Sequence, residues 1–128
     1  MARKKILLVE DELPLLQLVE KYLRRLGFDV ETYSTSSDAL RSFEAAPSNY
    51  DLVVADLGLP DISGDALLAR MFETRPDLRV LICSGSPFFI EKLPAAIRRQ
   101  VVFLQKPFVP KMLADAVERL LARPKNDA

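Results

Sequence analysis

A chain of 128 residues has the size of one ordinary domain, with 49% apolar and 28% charged residues. Lys plus Arg equals Asp plus Glu at 18 each, so no net field points to nucleic acid or to an acidic membrane surface. There is no histidine and a single cysteine, Cys83, which excludes His-based triads, imidazole zinc sites, an internal disulfide and a phosphohistidine of its own.

Along the chain, short apolar runs alternate with stretches of helical spacing. Residues 5–9 (Lys-Ile-Leu-Leu-Val) read as a strand buried on both faces, ending at Glu10-Asp11-Glu12. This run is too short for an export signal, and nothing approaches the ~20 apolar residues of a membrane span, so a cytoplasmic protein is expected. Pro14 fits a first helical turn, and Leu15, Leu16, Val19, Leu23 and Leu26 recur at helical spacing until Gly27 stops them. Residues 28–33 alternate like a second strand. Ser36 or Ser37 is expected to cap a helix over about 38–46, ended by Pro47. Residues 51–55 form a third apolar strand ending at Asp56, and the turn-rich 58–64 leads to a helix over about 65–74. Residues 79–83 read as a fourth strand ending at Ser84. In 88–100 the spacing is helical, but Pro94 would break a helix interior, so a short helix opening at Pro94 and reaching Arg99 is predicted. A fifth strand, 101–104, ends near Lys106-Pro107. A last amphipathic helix covers 111–123, and 124–128 read as a frayed tail, leaving 1–123 as the domain.

Five strands alternating with five helices predict a parallel sheet covered on both faces. Ligands of such folds bind beyond the carboxyl ends of the strands. The polar residues suited to phosphoryl chemistry all fall at that edge: Glu10, Asp11, Asp56, Ser84 and Lys106. Converging carboxylates repel, so they need a cation or raised pKa values, and Mg²⁺ suits hard oxygen donors. Asp56 can act as a nucleophile toward phosphorus, with Lys106 as a compact cation and Ser84 as a hydroxyl for the phosphoryl oxygens. Singly, each has a plainer reading: acids decorate helix starts, a strand-end Asp or Ser forms turns, and a Lys before Pro is a solvated charge. The ordered set argues against coincidence. Phe88 and Phe89 read first as cover for the core and second as a partner patch, and Cys83 as a buried apolar residue.

The motifs Val-Glu-Asp-Glu after strand one, Asp56-Leu-Gly-Leu-Pro60 with Gly64, Cys-Ser84-Gly85, and Phe103-Leu-Gln-Lys106-Pro107-Phe108 together resemble the receiver (CheY-like) domain of two-component response regulators over almost the whole chain. The resemblance implies a doubly wound sheet of order 2-1-3-4-5, the arrangement of the family's best-known relatives. It implies that Asp56 takes a phosphoryl group from a phosphohistidine on a sensor histidine kinase or a histidine phosphotransfer protein. Mg²⁺ would be bound by Asp11, Asp56 and the Gly58 carbonyl, with Glu10 nearby. Lys106 would pair with the phosphoryl oxygens, its bond to Pro107 being cis. Ser84 and Phe103 would switch the helix 4/strand 5/helix 5 surface toward a downstream protein, a phosphoacceptor switch with only self-phosphorylation and slow autodephosphorylation as activities. A homodimer is among the assemblies the resemblance leaves open. A receiver within a hybrid histidine kinase and an unphosphorylated docking module are the alternatives. Direct nucleic-acid binding is not expected. Two departures stand out: Phe103 lacks a tyrosine hydroxyl, and Pro94 falls inside the usual fourth helix. A haloacid-dehalogenase-type phosphatase would want a second Asp where Gly58 stands, and a flavodoxin-like cofactor site would be repelled by Glu10-Asp11-Glu12.

Overall fold

The computed structural model describes residues 3–123; the tail expected at 124–128 lies outside them. Strands β1 (Lys5–Val9), β2 (Asp29–Tyr33), β3 (Leu52–Asp56), β4 (Val80–Ser84) and β5 (Val101–Gln105) form one parallel sheet in the order β2-β1-β3-β4-β5. Helices α1 (Leu13–Arg25), α2 (Ser36–Ala45), α3 (Gly64–Thr74), α4 (Ala95–Arg98) and α5 (Pro110–Ala122) connect and cover it.

Side chains alternate across a strand, so each apolar run feeds two cores. Leu7, Val9, Val53, Ala55, Val80 and Ile82 meet α2 and α3 on one face. Ile6, Leu8, Leu52, Val54, Leu81 and Cys83 meet α1 and α5 on the other. Strands β3 and β4 are buried at every position, which is why they read as continuous apolar runs rather than as alternation. Gly27 ends α1 with φ of +99°, a conformation that an L side chain resists.

Several boundaries differ from the sequence reading. Thr35, not Ser36 or Ser37, caps α2: its hydroxyl accepts the Asp38 N–H at 3.2 Å, and the helix already begins at Ser36. The Ser36 and Ser37 amides are taken instead by the Asp61 carboxylate, from a loop that reaches across from the end of β3. β4 is shifted by one residue, so Ser84 belongs to the sheet. Pro94 does open a short helix, as the N-cap of the single turn α4. Before it, Ile90–Lys92 form one 3₁₀ turn and Leu93 is extended.

Candidate functional site

The chain direction of the central strands carries the reactive groups to one edge. Asp56 is the last residue of β3 and Ser84 the last of β4, while Glu10 and Lys106 directly follow β1 and β5. Burial of the strands carries Glu10, Asp56 and Ser84 inside with them. The Lys106 ammonium lies 2.7 Å from Glu10 Oε1 and 3.1 Å from Asp56 Oδ2, with Glu12 Oε1 at 3.9 Å. The second oxygen of each buried carboxylate has a backbone donor: Glu12 N–H reaches Glu10 Oε2 at 3.2 Å, and Gly58 N–H reaches Asp56 Oδ1 at 3.0 Å. Asp11 is exposed, yet one oxygen from each of Glu10, Asp11 and Asp56 lies within 4.8 Å of the others.

Burial is the largest influence on Glu10 and pushes its carboxyl above the usual range, against the bonds from Lys106 and the Glu12 amide that work to lower it. For Lys106, burial works downward, but the bonds from Glu10 and Asp56 prevail and hold the ammonium protonated above its ordinary value. The pocket is therefore an anionic cluster with one internal cation. Three carboxylates facing one point form a hard oxygen donor set of the kind Mg²⁺ takes, and the residues present fit that ion.

The loop after Asp56 is fixed by close approach. A Cβ on Gly64 would lie 2.3 Å from Leu57 Cδ2 and 2.7 Å from Leu57 Cα, so only glycine lets α3 start against the Asp56 loop. Ser63 caps that helix, its hydroxyl accepting the Ala66 N–H at 3.3 Å. Asp61, bonded by the Ser37 backbone and side chain and by the Ser36 amide, is held well below the usual carboxylate range.

Ser84 faces a cleft of about 280 Å³ that Gly58, Ser63 and Ser86 also line. Its hydroxyl accepts the Ser86 N–H at 3.1 Å, and its carbonyl accepts the Lys106 N–H at 2.8 Å. The bond from Lys106 to Pro107 is cis. Phe103 is half-buried and packs on Phe88, ring centroids 6.0 Å apart, while Phe89 is 57% exposed. Cys83 is buried, and burial pushes its thiol up to about 12, which suits the apolar role expected of it. Sequence reading singled out neither Asp61 nor Ser86. Asp61 meets Ser36 and Ser37, 25 and 24 residues earlier, only through loop geometry that no periodicity encodes, whereas Ser86 bonds Ser84 two residues back in a local turn.

The response regulator receiver domain model matches residues 6–118. The DNA-binding transcriptional regulator NtrC of Azospirillum brasilense is 34% identical over 121 residues, covering 94% of this chain and 25% of that protein. Sensor kinase CckA of Brucella abortus is 32% identical over 120 residues, covering 92% of this chain and 12% of that protein. The chain thus spans a quarter or less of these two relatives. Among solved structures, the non-phosphorylated HemR receiver domain of Leptospira biflexa superposes with a TM-score of 0.86 at 29% identity, covering 98% of this chain and all of that one.

Proposed function

This chain belongs to the response regulator receiver domain family, and on that premise we propose that Asp56 is its phosphoacceptor, served by Lys106, Ser84 and a Mg²⁺ site at Glu10 and Asp11. The observation that carries the reading is the contact of one lysine with two buried carboxylates, Glu10 and Asp56, at the strand edge. A carboxylate oxygen of Asp56 attacks phosphorus, forming the acyl phosphate as the P–N bond to a partner's imidazole breaks. Gly58 N–H orients the Asp56 carboxylate during approach. The Lys106 ammonium, already in bond distance of Asp56, passes to a phosphoryl oxygen, and the Ser84 hydroxyl donates to another. Held by Glu10, Asp11, Asp56 and the Gly58 carbonyl, Mg²⁺ would supply the remaining positive charge for the phosphoryl oxygens.

The turn of Ser84 toward the phosphoryl group and an inward rotation of Phe103 then alter the surface around α4, β5 and α5. No histidine lies in these 128 residues, so a phosphohistidine donor lies outside them, in a sensor histidine kinase or a histidine phosphotransfer protein. Leu13 and Leu18 of α1, and Val109 and Met112 around the start of α5, are exposed apolar side chains on the two helices that cover one face of the sheet, and such side chains suit docking of a partner. The family's work is switching rather than turnover, and its remaining chemistry here is self-phosphorylation and slow loss of the phosphoryl group. Residues 1–123 act as one receiver unit in the cytoplasm; no helix among the described residues is long and apolar enough to cross a membrane.

Incubation with acetyl phosphate and Mg²⁺ is expected to add one phosphoryl group by intact mass, and Asp56→Asn to add none. A wild-type chain that stays unmodified would leave the docking module as the better account.

A further inference from the structure

Pro94 and the extended Leu93 restrict α4 to one turn, so α3, which packs beside α2 on its other flank, has no full helix on the side of residues 87–97. The consequence is an open groove of about 660 Å³ between α3 and residues 87–97, within the range of specific binding sites. Leu68 and Phe72 of α3 form one side; Phe88, Leu93 and Ile97 form the other, and the exposed Phe89 stands on the rim. Ala69 lies between them, small enough for another helix to approach α3 closely. Asp65 and Glu73 mark the two ends of the α3 wall, about 12 Å apart by helical rise. Lys92 stands opposite, over the Phe89 ring at 5.3 Å.

The groove is continuous with the phosphorylation pocket. Asp65, Pro87 and Phe88 line both the groove and the cleft beside Ser84. The Ser86 N–H bond to Ser84 Oγ ties the start of the 86–88 segment to the switch hydroxyl, and Phe88 rests on Phe103. A Ser84 hydroxyl that turns to a phosphoryl oxygen loosens its hold on Ser86, and an inward Phe103 withdraws support from Phe88. One groove wall is thus built from the residues that respond first.

We propose that this groove, rather than the outer face of α4, is the output site, and that it takes an amphipathic helix from a partner protein: an apolar stripe on Phe72, Phe89 and Ile97, with basic side chains two turns apart toward Asp65 and Glu73. The charge pattern of the α3 wall selects that occupant, and the recognition mode is a helix laid in an apolar groove. Its dependence on phosphorylation rests on the reading of Asp56 given above.

The test uses the full ¹⁵N-labelled chain and two synthetic helical peptides of about 16 residues, roughly four turns. Both carry the same leucine stripe; one has lysines and the other glutamates at the flank positions. The lysine peptide is expected to bind about tenfold tighter, the effect of two exposed charge pairs turned from repulsion to attraction. Its chemical-shift changes should centre on Ala69, Phe72, Phe89 and Ile97. Phe89→Ser should weaken it at least tenfold, as for an aromatic anchor, and Glu73→Lys should reduce or reverse the preference between the peptides. Beryllofluoride with Mg²⁺, a phosphoryl mimic, should change the affinity several-fold. The proposal is overturned if neither peptide binds, if both bind equally, or if the shifts map to α1 and α5. It is equally overturned if sedimentation shows a dimer that Phe89→Ser dissolves, because a second copy then fills the groove. The same spectra separate the two readings. Beryllofluoride that moves Gly58 and Ser84 but leaves peptide affinity unchanged defeats the coupling alone. Beryllofluoride without effect at Gly58 and Ser84 defeats the Asp56 reading, and with it the coupling, while the peptide pair still decides the occupant.

Discussion

Lys106 stands at 16% side-chain exposure between two carboxylates that are more buried still. Its removal leaves Glu10 and Asp56 facing each other without a cation, the situation in which breaking a buried pair costs most. Lys106→Ala is therefore expected to lower unfolding free energy by about 2–4 kcal/mol at neutral pH in urea titrations, and to slow phosphorylation by acetyl phosphate at least tenfold. Added Mg²⁺ should restore more Tm to this variant than it adds to wild type, since binding to the folded state stabilises it. Equal gains in the two proteins would mean that Lys106 does not hold the acids together. Gly64→Ala acts by shape alone: its Cβ must displace Leu57, whose backbone is only 2.7 Å away. A loss of about 1–3 kcal/mol is expected from such overpacking, with slower phosphorylation because Leu57 adjoins Asp56. An unchanged Tm and rate would show that the loop yields freely. These residues were legible in the sequence for one reason. Glu10, Asp56, Ser84 and Lys106 each close or follow an apolar run, and parallel strands bring such positions to one edge. What the sequence left open was which groups touch: that Lys106 binds Glu10 as well as Asp56 depends on side-chain reach across two strands.

Elements with long, strongly patterned segments were read nearly to the residue, as with β1, α1 and α5. Local reading failed where a cap comes from elsewhere in the chain. Ser36 and Ser37 look like capping residues, but Asp61 takes both their amides and leaves Thr35 to supply the cap hydroxyl. Asp61 thereby ties the start of α2 to the loop that follows Asp56. Asp61→Ala should speed hydrogen exchange at the Ser36 and Ser37 amides while leaving the α3 amides unaffected. Unaltered exchange at both serines would remove Asp61 as the link. The β4–β5 connection was readable only in part. Pro94 announced a short helix, but the 3₁₀ turn at Ile90–Lys92 and the groove depend on how Phe88 and Leu93 pack, which one-dimensional spacing does not specify. A single turn has little cooperativity of its own, so the amides of α4 should exchange faster than those in the middle of α5. Protection of α4 equal to that of α5 would mean that the groove is more rigid than its short helix implies.

At the scale of the whole molecule, the sheet edge farthest from β5 is held by a polar knot. Glu31 on β2 accepts hydrogen bonds from the hydroxyls of Tyr33, Ser42 and Tyr50 through one oxygen, those of Tyr33 and Ser42 each at 2.8 Å, and it meets Lys5 at 3.1 Å through the other. The knot joins β1, β2, α2 and Tyr50, which stands two residues before β3, and most of its members lie too far apart in sequence for any pattern to have announced it. Burial works to raise the Glu31 pKa, but the hydrogen bonds from Tyr50, Tyr33, Ser42 and Lys5 outweigh it and hold the carboxyl down to about 2. The phenol of Tyr50 moves the other way, pushed up to about 12 by burial and by the bond to Glu31. A carboxyl lowered on folding contributes stability that is present above its unfolded value, near 4.5, and is lost as pH falls toward 2. Its side chain is 30% exposed, so solvent screening reduces the contribution to roughly 2 kcal/mol. Wild type should therefore lose stability between pH 4.5 and 2 more steeply than Glu31→Gln, whose amide keeps partners for the hydroxyls but does not titrate. Urea unfolding at pH 7, 4.5, 3 and 2.5 measures both slopes, and parallel curves would show that acid sensitivity originates elsewhere. Because the knot stands at the β2 edge and shares no residue with the pocket of Glu10, Asp56, Ser84 and Lys106, the variant should still accept a phosphoryl group at neutral pH, which separates its role in holding the sheet edge from the chemistry at Asp56.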